Sequence, residues 1–407
     1  MKEMIEEKAR TLSIADECDV IVCGGGPAGV AAAVAAAREG AKTRLIENNG
    51  CLGGIWTAGL ISYIIDWQNK EGLLREIMDA LETRGAKGEK NTYDIEATKF
   101  LLEEICMEAG VKINLHTRLC GAVTNETKKI NAVISESKSG RLAWKAKNFI
   151  DCTGDGDLAA FAGCGYDMGN EPTKEIQPAS MAALVTGIKH EEMKPFLIPL
   201  DGPDSHKQKL LQILTDAGTP PSYEKPTFFH IHDNLYGLMS NHEYNVHADN
   251  EEEITNATIN GRREVNIQIN ALRSLGGMWK DLRLVATSEH IGIREGRRIH
   301  GKYTITKDDL INGKEHDDAV CRSTFGVDIH ATDPTKNKGY YNSGIKAKPY
   351  DIPMRALMSK DIENLLMAGR CISGDFYAHA SYRVTGDAVA MGEAAGKYAA
   401  KITESSQ

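Results

Sequence analysis

Val20 to Glu47 reads VIVCGGGPAGVAAAVAAAREGAKTRLIE, and the order of residue types in it decides the fold. Asp19 to Cys23 is a short, apolar, β-branched run of the kind that forms a buried parallel strand. Gly24, Gly26 and Gly29 then occupy the three places of G-x-G-x-x-G, which serve a tight turn, the close approach of a pyrophosphate and a helix–strand contact. Pro27 and Ala28 lead into an alanine-rich stretch that starts a helix at once, so a phosphate would sit on its N-terminal amides. The run TRLIE gives a second strand ending in Glu47. This acid stands at the distance expected for a group that binds ribose hydroxyls, and its charge disfavours the 2′-phosphate of NADP. Strand, helix, strand and acid in that order predict a dinucleotide-binding βαβ unit.

The residues beyond Glu47 indicate which dinucleotide. ENNGCLGGIWTAGL adds Asn48 and then Gly53 and Gly54, a second place where backbone can approach a ligand. KNFIDCTGDGDLAAFAG, Lys147 to Gly163, is a strand ending in Thr153-Gly154-Asp155-Gly156-Asp157. NLLMAGRCISGDFYAHASYRVTGDAVAMGEAAGKYAA, Asn364 to Ala400, has an apolar strand, a Gly-Arg turn, Gly374-Asp375 and an alanine- and glycine-rich helix. SEHIGIREGRRIHGKYTIT and YDIPMRAL complete the set.

These motifs resemble the FAD-binding pattern of glutathione-reductase-like flavoproteins. More narrowly, they are similar to the FAD-dependent oxidoreductase family with the patterns IGxREgRRixG and GRxIS…R…GxAAG. The resemblance covers roughly residues 17–165 and 260–400, with Gly374-Asp375-Phe376 standing where the pattern has small and hydroxyl residues. It implies an α/β fold, in which a Rossmann-like FAD-binding domain carries an inserted α+β substrate domain. It also implies FAD as cofactor, Asp375 at the ribitol hydroxyls, and a helix starting near Thr385, Gly386 and Asp387 that aims its amides at the flavin pyrimidine. Texture changes near Tyr166, where MGNEPTKEIQPAS, PLDGPDSHKQK and TPPSYEKPT concentrate the prolines. The expected organisation is therefore 17–165 for the first part of the FAD domain, 166–285 for the insert and 286–404 for the return.

Composition narrows the chemistry. The chain has 407 residues, 42% of them hydrophobic, and a net charge of −9, which argues against nucleic acid and anionic lipid as partners. No apolar run approaches a membrane span, and the charged first eighteen residues lack a signal-peptide core, so a cytoplasmic protein is expected. Nine cysteines without CxxC spacing read as reduced and buried, Cys51 and Cys371 included. A second G-x-G-x-x-G is absent, and no CxxxxC pair like that of disulfide reductases follows the glycine turn, so neither a nicotinamide domain nor a disulfide-reductase centre is expected.

What remains is hydride transfer between one flavin and a small polar substrate, with an unknown electron acceptor. A flavin monooxygenase and a non-catalytic FAD- or nucleotide-binding protein stand as alternatives, and a homo-oligomer is left open. Arg383 is the cation chosen to stabilise reduced flavin, and His379, four residues earlier, is a substrate or flavin contact. His232, alternating with His230 on one strand face, is a candidate base. Arg294 belongs to an Arg294–Glu295 network or to an anion site; alternation along IGIREGRRI would put Arg294 and Arg298 on one face. SNHEYNVHADN suits a polar substrate or a surface loop. No metal site is expected, because acids and cysteines near FFHIHDN are not at ligand spacing.

Overall fold

The computed structural model describes residues 4–197, 204–335 and 338–404; the proline-bearing stretch at 198–203 and the first three residues read above lie outside them. Strand β1 (Ile14–Cys23) runs parallel to β2 (Thr43–Ile46) on one side and to β6 (Gly140–Asp151) on the other, with helix α1 (Pro27–Arg38) crossing over. Helices α2 (Leu73–Thr83) and α3 (Ile95–Glu108) lead to β3 (Lys112–Asn114), which extends the parallel side beyond β2. The hairpin β4 (Arg118–Thr124) and β5 (Ile130–Ser137) joins β6 antiparallel. The sheet order is β3-β2-β1-β6-β5-β4.

On its edge away from β1, strand β6 is long enough to serve two neighbours. Its first half pairs with β5, while Phe149, Ile150 and Asp151 pair in parallel with Leu365–Met367. That second pairing draws the C-terminal segment to the sheet on the side of β6 away from β1. The last helix, Thr385–Glu404, then lies on α1, where Gly392 and Gly396 face the carbonyl oxygens of Ala28 and Ala32. A Cβ at either glycine would stand about 2 Å from those oxygens, so the GxAAG spacing is what lets the two helices touch. Parallel strands therefore end together at Cys23, Ile46, Asp151 and Met367, the edge where open α/β sheets take their ligands.

A second core, drawing on residues between Ala179 and Ile291, packs a four-stranded antiparallel sheet against the helix Glu251–Ser274. Its strands are Ala182–Thr186, Thr227–His232, Leu235–Met239 and Arg283–Thr287, with Thr227–His232 on an edge. Among the described residues no helix is long and apolar enough to cross a membrane.

Candidate active site

The three glycines of the first turn differ in what surrounds them. Gly24 has φ +95°, and a Cβ there would meet the Cys152 carbonyl at 2.4 Å; at Gly29 it would stand 1.8 Å from the Gly24 oxygen. Both are forced to be glycine by the protein itself. Gly26 is the exception, because a Cβ on it would meet nothing within 4 Å. The absent side chain leaves open space over the start of α1. Gly53 and Gly54 fold back over the same turn: Gly53 donates to the Gly25 carbonyl at 2.8 Å, and a Cβ on Gly54 would lie 3.0 Å from the Gly26 Cα.

Glu47 closes the cradle. Its buried carboxylate accepts from Gly25 N at 2.5 Å and Asn49 N at 2.6 Å, with Asn48 exposed beside it. Burial pushes this carboxyl up while the backbone N–H groups pull it down. Across the sheet edge, Asp151 is fully buried and accepts from Thr153 N, Thr153 Oγ1 and Ala159 N, which shapes the turn of Thr153, Gly154 and Asp155. This structural acid escaped the sequence reading, which looked past the strand end to the acids after it. Asp155 faces Arg370 at 3.0 Å, and Gly154, at φ +83°, makes room for that guanidinium.

Several of the expected residues have partners within the fold that the sequence did not show. Asp375 is the N-cap of the helix Phe376–Tyr382, its two oxygens accepting from Ala378 N and Lys307 N, so both are already engaged by backbone amides. Gly386 is small because its backbone N–H bonds Ile65 O and a Cβ would strike Asp66 O at 2.3 Å; Gly374 is small because Tyr382 lies against it. IGIREGRRI is irregular until Arg298–Ile299, so strand alternation does not apply: Glu295 pairs with Arg298 at 2.6 Å, and Arg294 is left without it. His232 lies half-exposed on the outer edge strand, 3.0 Å from Asp94 at the start of α3 and away from the other candidates.

Arg383 lies near both His379 and Arg294. His379 is fully buried with neither ring nitrogen bonded; burial, then Arg298, Arg383 and Arg370, hold it well below the usual histidine range. Arg383 donates to the Asp328 carbonyl at 2.8 Å and reaches its carboxylate at 3.3 Å, while its Nε is buried without a partner. Arg294 is buried, and its hydrogen bonds go to neutral atoms: the Pro178 carbonyl at 2.7 Å and the Ser180 hydroxyl at 2.8 Å. Burial and the neighbouring Arg383 push it down to about 10.

Around these arginines runs a chain of polar groups only partly visible in the sequence. His330 Nε2 lies 3.3 Å from the Asp328 carboxylate, His330 Nδ1 lies 2.9 Å from His242 Nε2, and His242 Nδ1 lies 3.4 Å from the Tyr244 hydroxyl. Tyr223 covers His242, ring centres 4.2 Å apart. SNHEYNVHADN is therefore no surface loop at its start, where Ser240, Asn241 and His242 are all buried. Asp328 and His330 lie nearly ninety residues further on, in a stretch with no motif to mark them.

A glycine cradle at the carboxyl ends of parallel strands, met by a returning C-terminal segment, defines a dinucleotide-binding α/β protein of the flavoprotein type. The chain belongs to the FAD dependent oxidoreductase family, whose model matches residues 19–407. It is an enzyme of that family, with FAD as cofactor. Among curated proteins it is similar to the thiamine thiazole synthase of Pyrococcus abyssi, 31% identical over 172 residues, or 39% of this chain and 66% of that enzyme. The corresponding enzyme of Methanothermobacter thermautotrophicus is 37% identical over 101 residues, 24% of this chain and 38% of that one. The chain thus spans just under two thirds of the length of the first of these relatives.

Two solved structures align over most of the chain. A geranylgeranyl bacteriochlorophyll reductase-like protein from Thermoplasma acidophilum is 14% identical with a TM-score of 0.45, covering 96% of this chain and 79% of that one. The flavin-dependent brominase Bmp2 is 10% identical with a TM-score of 0.49, covering 95% and 80%. The family assignment rests on the sequence match.

The residues present fit FAD. Besides the open space at Gly26, the buried polar atoms without partners include Trp56 Nε1, Gln177 Nε2, His379 Nδ1 and Nε2, Arg383 Nε and Thr385 Oγ1. These atoms come from segments far apart in sequence, and buried polar atoms of this kind call for a partner.

Proposed function

We propose that the protein moves a hydride between its flavin and a small organic anion, a carboxylate being the simplest case. FAD would be held by the cradle of Gly24, Gly26, Pro27, Ala28 and Gly29, by Glu47 and Asn48, by Gly53–Gly54 and by Thr153, Gly154 and Asp155 with Arg370. When bound, it supplies the acceptor or donor of the hydride. Arg383 and His379 would border it on the side of the C-terminal segment.

The observation that carries the reading is Arg294. A buried cation whose hydrogen bonds reach only neutral atoms is costly, and an anionic group delivered by the substrate offsets that cost. The histidine chain supports a proton path beside it. Asp328 is held ionised, well below the usual carboxylate range, by the hydrogen bond from His330 and by the charges around it, against the effect of burial. Asp328 then accepts from His330 Nε2–H, which leaves His330 Nδ1 to accept from His242 Nε2–H. His242 consequently presents a lone pair on Nδ1 toward Tyr244.

Burial first, then the Arg294 charge, keep His242 far below its ordinary value and push His330 down to about 3. An anion paired with Arg294 removes the second of these causes, so the base strengthens as substrate arrives. Anaerobic bleaching of the flavin against hydroxy acids, amino acids and matched neutral alcohols and amines tests the reading. Carboxylated compounds should reduce wild type and lose at least about 10-fold in apparent affinity in Arg294→Gln, the loss of one charge-assisted bond. Equal reduction by the neutral analogues would overturn it.

A further inference from the structure

We propose that Glu89, His190 and His230 form a binding site for a zinc-class divalent metal ion, apart from the flavin site. The three side chains come from three segments: the turn between α2 and α3, the start of the short helix His190–Met193, and the edge strand Thr227–His232. Their ligand atoms all lie within 4.8 Å of one another. Glu89 Oε1 is 3.3 Å from His230 Nδ1 and 3.5 Å from His190 Nε2, and the two imidazoles lie with centres 4.2 Å apart and planes tilted by 44°.

The tautomer of His230 makes this arrangement informative. Its Nε2 lies 3.1 Å from the Asp233 carbonyl, an acceptor only, so Nε2 carries the proton in the neutral ring. Nδ1 is then a lone pair aimed at a carboxylate oxygen, and it is buried with no hydrogen-bond partner. Acceptor facing acceptor is repulsive unless a proton or a metal cation lies between them, and a metal would also engage His190 Nε2, 3.5 Å from the same carboxylate oxygen. A backbone carbonyl holding the remote N–H is also the usual way a metal-binding histidine is oriented.

Spacing selects the metal class. Tetrahedral zinc, with bonds of 2.0–2.1 Å to nitrogen and oxygen, places neighbouring ligand atoms about 3.3–3.4 Å apart. The observed 3.3 and 3.5 Å bracket that value. An octahedral ion such as magnesium at 2.0–2.1 Å would draw them to about 2.9 Å, and it prefers an all-oxygen set. Two imidazoles and one carboxylate leave a fourth position for water. The positioning is also built into the fold: Thr92 Oγ1 lies 2.8 Å from Glu89 O and 2.7 Å from His230 O, its one proton shared between the two carbonyls, tying the turn to the strand. A metal here would clip the edge of the four-stranded sheet to the turn that precedes α3. Spacing along the chain conceals the site, since its ligands lie 101 and 40 residues apart.

Cobalt(II) is the probe, titrated into full-length, FAD-loaded protein first stripped with a chelator. The expected result is one equivalent bound, with visible d–d bands of tetrahedral intensity at wavelengths beyond the flavin band, displaced by zinc, and a melting temperature that rises with metal. Glu89→Gln, His190→Ala and His230→Ala should each weaken binding at least about 100-fold while retaining FAD and the metal-free melting temperature. His232→Gln should bind as wild type. A weak octahedral spectrum, no stoichiometric binding, or tetrahedral bands that survive in His230→Ala or vanish in His232→Gln would each overturn the assignment.

Discussion

Single residues divide by whether the protein or its ligand demands them. Gly29 is constrained by a contact inside the fold, since any Cβ would collide with the Gly24 carbonyl. Gly26 has no such neighbour, and its φ of −69° suits any residue. Gly26→Val should therefore leave the melting temperature of the apoprotein close to wild type yet abolish FAD binding in a titration. Gly29→Ala should lower that melting temperature sharply, because the clash is with backbone that cannot move aside. If the two variants behave alike, the open space over Gly26 is not where the cofactor passes. At Arg294 the same logic runs through charge. Removing it should let His242 and His330 take protons more readily, so the acid limb of kcat/KM should lie at higher pH in Arg294→Gln than in wild type, where His330 is pushed down to about 3.

Elements are joined here by small residues rather than by bulk. The terminal helix lies on α1 only because Gly392 and Gly396 admit the carbonyls of Ala28 and Ala32. Gly396→Val would set two methyl groups against the Ala32 oxygen, now 2.2 Å from the added Cβ position. Overpacking of this kind costs about 1–3 kcal/mol. Because the displaced helix is α1, whose N-terminus forms the cradle, the variant should also release FAD faster; dissociation measured by flavin fluorescence should accelerate along with the fall in melting temperature. A drop in stability with an unchanged off-rate would mean that the helix contact and the cradle are independent.

Across the whole molecule, a buried ionic cluster joins the segment before α2 to the last helix. Lys70 Nζ lies 2.8 Å from Asp66 and 2.9 Å from Asp387, and all three are buried. One cation cannot hold two carboxylates ionised, and the cluster resolves this asymmetrically. Asp66, helped by hydrogen bonds from Thr324, stays below its ordinary value, while burial pushes Asp387 up to about 8. The folded state therefore carries a proton on Asp387 that the unfolded chain releases near pH 3.9. Between those values stability falls as pH rises, and the contribution is gone above about 8. The melting temperature of wild type should decline from about pH 6 to about pH 9 more steeply than that of Asp387→Asn, which cannot titrate. Parallel curves would show that Asp387 is already ionised in the native protein.

Local chemistry was enough to read the first βαβ unit and the glycines in its first turn. Each depends on neighbours within one or two turns of chain: a positive φ, a strand-to-helix junction. A family pattern also marked the segment that carries Arg383 and His379. Only the tertiary structure could show that Glu295 belongs to Arg298, that Asp375 is a helix cap and that His232 faces outward, since these follow from which atoms reach each other in space. The same holds for Asp328, His330 and His242, and for Glu89 with His190 and His230. A pair of histidines two residues apart looks like a site in the sequence, yet strand pairing sent one to the solvent and brought the other within 3.3 Å of a carboxylate 141 positions earlier. Backbone geometry is written locally, whereas a buried charge acquires its partner, or goes without one, only when distant segments pack.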